Sequence, residues 1–232
     1  AISKINKIAM ALDYLGIKKG DKVSLISETR YEWNIIDFAM QILGIVNVPI
    51  YPSLNPEQIK YIIEDSESKA LIVSDEEKLK KVLKYKDELN LEKYIVIDGN
   101  SDTSNNVITL EELEELGIEG LNLKGTDYIS SIGKTIKEND LASIIYTSGT
   151  TGTPKGVMLS HKNFISSGYG SLERVNLDIC DRSLSFLPLS HAYARTTTYA
   201  LIMGSVTLWY AESIDTLGSD MIDSRPDIIT VV

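Results

Sequence analysis

The sequence is poor in cysteine and in long apolar runs, and each shortage excludes a class of protein. Cys180 is the only cysteine among 232 residues, so no internal disulfide can form and a reducing, cytoplasmic setting is expected. No apolar run approaches the ~18 residues that cross a bilayer. A transmembrane segment is therefore not predicted, peripheral membrane contact stays open, and no pattern indicates an oligomeric state.

Positive charge is scarce as well. The 23 Lys and Arg residues are outnumbered by 33 Asp and Glu, for a formal net charge of −10. This balance argues against nucleic acid as a partner, because binding to nucleic acid relies on basic patches. Since charges beyond about 8 Å are largely screened at physiological salt, a phosphate ligand would need local donors and a metal ion.

Much of the acidity falls in one segment. Residues 98–140 contain ten acidic and three basic residues and so contribute −7 of the −10. We expect an acidic surface excursion here, with a short helix at 110–116. A contact for a basic partner is the alternative to a solvated face.

Elsewhere, strand-like and helical patterns alternate, which predicts an α/β fold with a mostly parallel sheet and helices on both faces. Gly16 and Gly44 are predicted to end the first two helices, and residues 55–58 open the third with a capping box. Helices are predicted at 5–15, 33–43, 55 onward, 75–90, 160–173, 190 onward and 214–224; strands are predicted at 22–27, 45–48, 70–73, 94–97, 141–146, 157–160, 182–187, 205–209 and 227–232.

The loop between two of these strands has an unusual composition. From Thr147 to Gly156 every residue is Thr, Ser, Gly, Pro or Lys, and Lys155 carries the only charge. Free backbone N–H groups, hydroxyls and one ammonium are the groups that surround a polyanion such as the phosphates of ATP. A P-loop would continue as Gly-Lys-Ser/Thr into a helix, whereas Lys155 is followed by Gly156 and a strand. The pattern therefore predicts a different phosphate-binding loop, with a flexible linker as the alternative.

Residues 146–161, Tyr-Thr-Ser-Gly-Thr-Thr-Gly-Thr-Pro-Lys-Gly-Val-Met-Leu-Ser-His, resemble the signature of the adenylate-forming enzymes. This superfamily includes acyl-CoA synthetases, luciferases and the adenylation domains of peptide synthetases. Residues 20–23, 30–33, 43–49 and 52–56 are similar to its N-terminal domain. Residues 187–196 resemble its long-chain acyl-CoA synthetase branch, although Ala194 stands where that branch usually has an acidic residue.

The resemblance implies that residues 1–232 are an incomplete N-terminal AMP-binding domain without the C-terminal lid domain. The chain stops within a strand-like pattern, as expected of a fragment, and the resemblance implies an acidic magnesium motif and a lysine-bearing lid beyond Val232. On this interpretation, the chain by itself should show no carboxylate-dependent exchange of pyrophosphate into ATP.

The implied reaction is ATP-dependent activation of a carboxylic acid through an acyl-adenylate to an acyl-CoA thioester, with ATP, Mg²⁺ and coenzyme A as cofactors. A long-chain fatty acid is the implied substrate; medium-chain or aryl acids, and a carrier protein in place of coenzyme A, stay open. A kinase or ATPase would release ADP instead of AMP and pyrophosphate, and a non-catalytic binding module would release neither.

The resemblance also implies roles for individual residues. Lys155 and His191 are the predicted catalytic residues, and Thr147 is also a predicted Mg²⁺ ligand. The predicted ATP contacts are Thr147, Ser148, Gly149, Thr150, Thr151, Gly152, Thr153 and Lys155.

The two histidines, His161 and His191, each follow a serine that can cap a helix. We expect a structural role for His161. His191 is predicted to lie near the substrate carboxylate, where the positive helix end keeps it neutral as an oriented hydrogen-bonding group; a structural histidine is the alternative. Arg195 lies four residues on, on the same helical face, and either approaches the substrate or pairs with a surface acid.

Overall fold

The structure is a computed structural model that describes residues 1–147, 154–175 and 182–231. The helices are α1 (Ile2–Tyr14), α2 (Tyr31–Leu43), α3 (Pro56–Asp65), α4 (Glu76–Leu83), α5 (Leu110–Lys124), α6 (Asp127–Gly133), α7 (His161–Leu172), α8 (Ala192–Met203) and α9 (Leu217–Ser224). The strands are β1 (Lys22–Ile26), β2 (Val46–Ile50), β3 (Ser68–Asp75), β4 (Lys93–Asp98), β5 (Val107–Thr109), β6 (Leu141–Thr147), β7 (Lys155–Ser160), β8 (Arg182–Ser185), β9 (Thr207–Tyr210) and β10 (Ile228–Ile229).

The strands of the described ranges form two sheets. The larger has the order β5-β4-β3-β1-β2-β6-β7 and the smaller the order β10-β8-β9. Strands β6 and β7 pair antiparallel, and the other ladders are parallel. The predicted α/β fold with a mostly parallel sheet is confirmed.

Helices cover both faces of the larger sheet, because its strands are apolar on both sides. On β3, Ala70 and Ile72 face one core cluster, while Leu71 and Val73 face the other. This alternation is the two-residue period of a strand. The first cluster includes residues of α1, α2, α5 and α6, and the second includes residues of α3 and α4.

Several helices start and end at the residues that the sequence predicts. Gly44 ends α2 in the left-handed region at φ 67°, and Gly16 follows the end of α1 at φ 90°. Asn55 and Gln58 form the predicted capping box of α3. The helix predicted at 75–90 is shorter than expected, since α4 ends at Leu83 and turns follow.

The expected surface excursion at 98–140 is wrong as a description of this segment. Strand β5 extends the larger sheet beside β4, and α5 packs against α1. The contact is close enough that a Cβ on Gly117 would lie 2.0 Å from the Lys7 carbonyl oxygen. Because Leu110 and Leu113 are buried while the acidic residues share the same helix, the segment is both charged and part of the core.

Within the described ranges, no helix combines the length and the apolar character needed to cross a membrane.

Candidate active site

The phosphate-loop prediction concerns the connection between β6 and β7. These strands pair so that Tyr146 lies opposite Gly156 and Thr147 opposite Lys155. The two predicted strands are therefore present as an antiparallel pair, and Thr147 and Lys155 form the last pair of this ladder. The other predicted ATP contacts, Ser148, Gly149, Thr150, Thr151, Gly152 and Thr153, lie outside the described residues.

Thr147 and Lys155 both have exposed side chains. In the described part of the chain, no carboxylate lies within ion-pair distance of the Lys155 ammonium. Among the described residues, its charge therefore has no acidic partner that would compete with an anionic ligand.

Gly156 is required where the two strands meet. A Cβ at this position would lie 2.7 Å from Cγ2 of Ile144 and 3.1 Å from Cζ of Tyr146. A glycine in a strand often marks such a close approach. The tyrosine ring thus packs directly over the backbone that follows Lys155.

The segment before α8 lies at the carboxyl edge of the larger sheet. The Thr29 hydroxyl donates to the Leu187 carbonyl oxygen (2.8 Å), and the Ser190 hydroxyl donates to the Ile50 carbonyl oxygen (3.3 Å). Ile50 is the last residue of β2, which neighbours β6. Because parallel strands end at the same edge, His191 and Thr147 belong to one edge of the sheet, where open α/β sheets bind ligands.

His191 itself caps α8, which corrects the expectation that the preceding serine does so. Its Nδ1 accepts a hydrogen bond from the Tyr193 backbone N–H (3.2 Å), while Ser190 is engaged with Ile50. An Nδ1 that accepts a hydrogen bond leaves the proton of a neutral ring on Nε2. Since the side chain is exposed, Nε2 can donate to a ligand oxygen.

Arg195 does not lie where either of its two predicted roles would place it. Its side chain has no exposed surface and forms an ion pair with Asp37, which is also fully buried (Nη2 to Oδ1, 2.6 Å). Neither a substrate in solution nor a surface acid can reach the guanidinium in this arrangement. The expected substrate contact and the alternative surface pair are therefore both corrected to a buried pair.

The buried pair is part of a polar network that joins four elements, α2, β2, β6 and α8. Arg195 donates from Nη1 to the Ser143 hydroxyl of β6 (2.7 Å), and its guanidinium carbon lies 4.5 Å from the centre of the Phe164 ring. Asp37 of α2 also accepts from Asn47 (2.7 Å). Burial alone would lower the pKa of Arg195, but the charge of Asp37 and the interactions with Tyr199 together outweigh burial and raise it. The network fixes α8 against α2 and β6.

His161 begins α7, and Ser160 and Asn163 form the capping box before it. Its Nε2 is buried and has no hydrogen-bond partner among the described residues, and burial of the ring lowers the pKa of His161. The ring borders an apolar cavity of about 240 Å³ between α2, α7 and α8.

In the described ranges, no three His, Cys, Asp or Glu side chains lie close enough together to hold a metal ion. The hydroxyl of Thr147 remains the single protein group proposed for Mg²⁺.

Sequence reasoning did not identify Asp37. The sequence does contain an indication of a buried acid, because Asp37 follows Ile36 within the apolar stripe of Trp33, Ile36 and Met40 that predicts α2. An acidic residue in a buried stripe requires a partner. The identity of that partner, 158 residues away, is decided only by the fold.

These observations define an α/β domain with a polar, lysine-containing loop at the carboxyl edge of its sheet. A profile of the AMP-binding enzymes matches residues 3–232. The chain therefore belongs to the AMP-binding enzyme family.

Individual relatives agree with this assignment. The long-chain-fatty-acid–CoA ligase FadD15 of Mycobacterium bovis is 32% identical, over 100% of this chain and 38% of the ligase. The peroxisomal long chain acyl-CoA synthetase 7 of Arabidopsis thaliana is 30% identical, over 100% of this chain and 33% of that protein. Among solved structures, the inhibitor-bound N-terminal domain of FACL13 from Mycobacterium tuberculosis has a TM-score of 0.75 at 26% identity, over 98% of this chain and 53% of that one. The chain thus spans less than half the length of these curated relatives.

Proposed function

We propose that this chain is the ATP-phosphate-binding part of an AMP-forming acid–thiol ligase that converts a long-chain fatty acid to its coenzyme A thioester. The observation that carries the proposal is the family match together with the pairing of Thr147 and Lys155 at the base of the loop. Two ligases of long-chain acids among the relatives support the substrate class.

The proposed reaction has two steps. A carboxylate oxygen attacks the α-phosphorus of ATP and pyrophosphate leaves, which gives the acyl-adenylate. The thiolate sulfur of coenzyme A then attacks the acyl carbon and AMP leaves. Both steps depend mainly on positioning and on stabilisation of charge.

Lys155 is proposed to offset the charge of the β- and γ-phosphates. Its exposed ammonium follows directly on the loop and is free of carboxylates among the described residues. The hydroxyl of Thr147, on the opposite strand, is proposed as a ligand of the Mg²⁺ that accompanies ATP. The bound ion would supply charge neutralisation at the phosphates.

His191 is proposed to donate a hydrogen bond from Nε2 to the substrate carboxylate or to an oxygen of the α-phosphate. The helix cap supports this role because it orients the ring and keeps the proton on Nε2. Arg195 is proposed to support the site only indirectly, through the position of α8.

A cleft beside α8 supports the proposal that the substrate carries an apolar acyl group. It has a volume of about 340 Å³ and is bordered by Val175, Tyr193, Leu201 and Ile228. Tyr193, whose backbone N–H donates to Nδ1 of His191, is one of the residues that border this cleft.

The product of the full reading frame should be incubated with palmitate, ATP, Mg²⁺ and coenzyme A. We expect palmitoyl-CoA, AMP and pyrophosphate in equal amounts, with octanoate and benzoate as slower substrates. Release of ADP, or no dependence on a carboxylate, would overturn the proposal. The 232-residue chain, assayed in parallel, is expected to show no palmitate-dependent pyrophosphate exchange.

A further inference from the structure

Both strands that carry the phosphate loop are connected to the end of a single helix, α3. On the β6 side, the Tyr146 hydroxyl donates to Oδ2 of Asp65 (2.5 Å). On the β7 side, the Tyr61 hydroxyl lies 3.3 Å from the Pro154 carbonyl oxygen and 3.5 Å from Oδ1 of Asp65. We refer to Tyr61, Asp65 and Tyr146 as the stem cluster.

The stem cluster reaches both residues that directly flank the proposed phosphate contacts: Tyr146 belongs to it, and Pro154 is bonded to it through Tyr61. Tyr146 precedes Thr147, and Pro154 precedes Lys155. The rings of Tyr61 and Tyr146 pack edge to face at 88°, with centroids 6.5 Å apart. Because one carboxylate and one ring pair join the two sides, a displacement of either strand end requires a displacement of the other.

Asp65 occupies a position that is unfavourable for a lone helix. It is the last residue of α3, where the negative end of the helix dipole disfavours a carboxylate. In the described ranges, no cation lies within ion-pair distance of Asp65. Its bonding partners are the two tyrosine hydroxyls, so the residue is best explained by its contact with the loop strands.

We propose that Tyr61, Asp65 and Tyr146 are positioning residues for the polyphosphate of ATP. The stem cluster sets the separation of the two strand ends, and with it the placement of Thr147 and Lys155. This inference rests on the proposed function, since it assumes that the loop binds ATP. It assigns the cluster to the β- and γ-phosphates and not to the adenosine or the acid.

A positioning role and a merely structural role predict different effects on ligand binding. A general loss of stability would weaken the binding of every ligand. A misplaced loop would weaken the binding of ATP but leave that of AMP, which lacks the β- and γ-phosphates, unchanged. The ratio of the two affinities is thus the informative quantity.

The test uses the product of the full reading frame with Asp65→Ala, Asp65→Asn, Tyr61→Phe and Tyr146→Phe. For Asp65→Ala we expect the KM for ATP to rise about tenfold, the scale of a lost hydrogen bond to a charged group. The KM for palmitate and the inhibition constant of AMP should stay within about twofold of wild type, whereas kcat should fall as well, because a displaced Lys155 stabilises the reacting phosphates less effectively. Asp65→Asn retains one acceptor oxygen and should recover part of the loss.

Tyr85→Phe is the matched control. The Tyr85 hydroxyl donates to Glu57 (3.0 Å) at the other end of the same helix, away from the loop. This variant should leave all four constants unchanged.

Three results would overturn the inference. They are an unchanged KM for ATP in every stem-cluster variant, a parallel loss of ATP and AMP binding, or an equal effect of Tyr85→Phe. Should Asp65→Ala fail to fold, the two Tyr→Phe variants, which each remove one hydroxyl, still decide the outcome. An inactive wild-type protein would instead contradict the proposed function, and the inference would fall with it.

Discussion

Arg195 and Asp37 form an ion pair in which neither side chain has any exposed surface. Removing two charges from water is costly, and the cost is recovered only when the remaining hydrogen-bonding groups are satisfied. Here Ser143, Asn47 and Tyr199 provide those bonds. The pair therefore fixes α8, which carries the His191 cap, to the interior of the larger sheet.

Removal of Arg195 should leave Asp37 buried and unpaired. We expect Arg195→Ala to lower the free energy of unfolding by about 3–5 kcal/mol in urea denaturation. The double variant Asp37→Asn/Arg195→Met, which removes both charges, should be more stable than the single variant. Lys162→Ala, at an exposed ion pair with Glu138, should cost about 1 kcal/mol or less. A double variant less stable than Arg195→Ala would contradict the interpretation.

The two functions of His191 can be separated by substitution. Asparagine is a good helix cap but has no imidazole, so His191→Asn should keep the melting temperature of wild type. His191→Ala should lose about 1 kcal/mol of stability as well. In the full-length protein we expect both variants to lose at least tenfold in kcat/KM for palmitate. Wild-type activity in His191→Asn would restrict the role of His191 to the cap.

Lys155→Ala should remove one charge-stabilising group from the reaction. We expect kcat to fall about a hundredfold or more, the usual effect of losing one such donor. Lys162→Ala is the control, because Lys162 is an exposed lysine beyond the opposite end of β7 and its partner is Glu138. Steady-state kinetics with ATP and palmitate would measure both, and equal activities would remove Lys155 from the mechanism.

Two helical glycines should respond in opposite directions to alanine. A Cβ on Gly117 would lie 2.0 Å from the Lys7 carbonyl oxygen, whereas one on Gly170 of α7 would meet no atom within 4 Å. Gly117→Ala should therefore destabilise the chain strongly by separating α1 from α5. Gly170→Ala should stabilise it by about 0.5–1 kcal/mol, the difference in helix propensity. Thermal unfolding of the two variants tests the close contact of α1 and α5 directly.

Asp75 should make stability depend on pH. Burial alone would raise the pKa of Asp75, but hydrogen bonds from Lys78 and Ser74 lower it from 3.8 to about 2. Below pH 3.8 the unfolded chain binds a proton more readily than the folded chain does, so this contribution to stability is lost as the pH falls towards 2. Because the side chain is 34% exposed, we expect a contribution of about 1 kcal/mol at pH 7.

Asp75→Asn isolates this titration, because asparagine can still cap α4 in place of Asp75. Its deficit relative to wild type, measured by urea denaturation, should shrink as the pH falls from 5 towards 3. Asp75→Ala should lose about 1 kcal/mol more at every pH, since it lacks the cap. A deficit of Asp75→Asn that does not change with pH would contradict the prediction.

The sequence alone determined the features that depend on neighbouring residues. Alternating apolar patterns predicted the α/β fold, Gly44 and the Asn55 capping box marked helix ends, and the loop composition together with its family resemblance indicated a phosphate site. Each of these rests on local chemistry, such as a backbone that only glycine adopts easily or a side chain that bonds a nearby N–H.

Only the tertiary structure decided which distant residues meet. Asp37 and Arg195 are 158 positions apart, and Tyr146 and Asp65 are 81 positions apart. The composition of segment 98–140 suggests a polar surface because acidic residues are frequent there, yet Leu110, Leu113, Gly117 and Gly120 share one face of α5 and are buried. Composition records how many charges a segment has, whereas burial depends on which side of each element faces the sheet. That side is set by packing, and packing is a property of the whole chain.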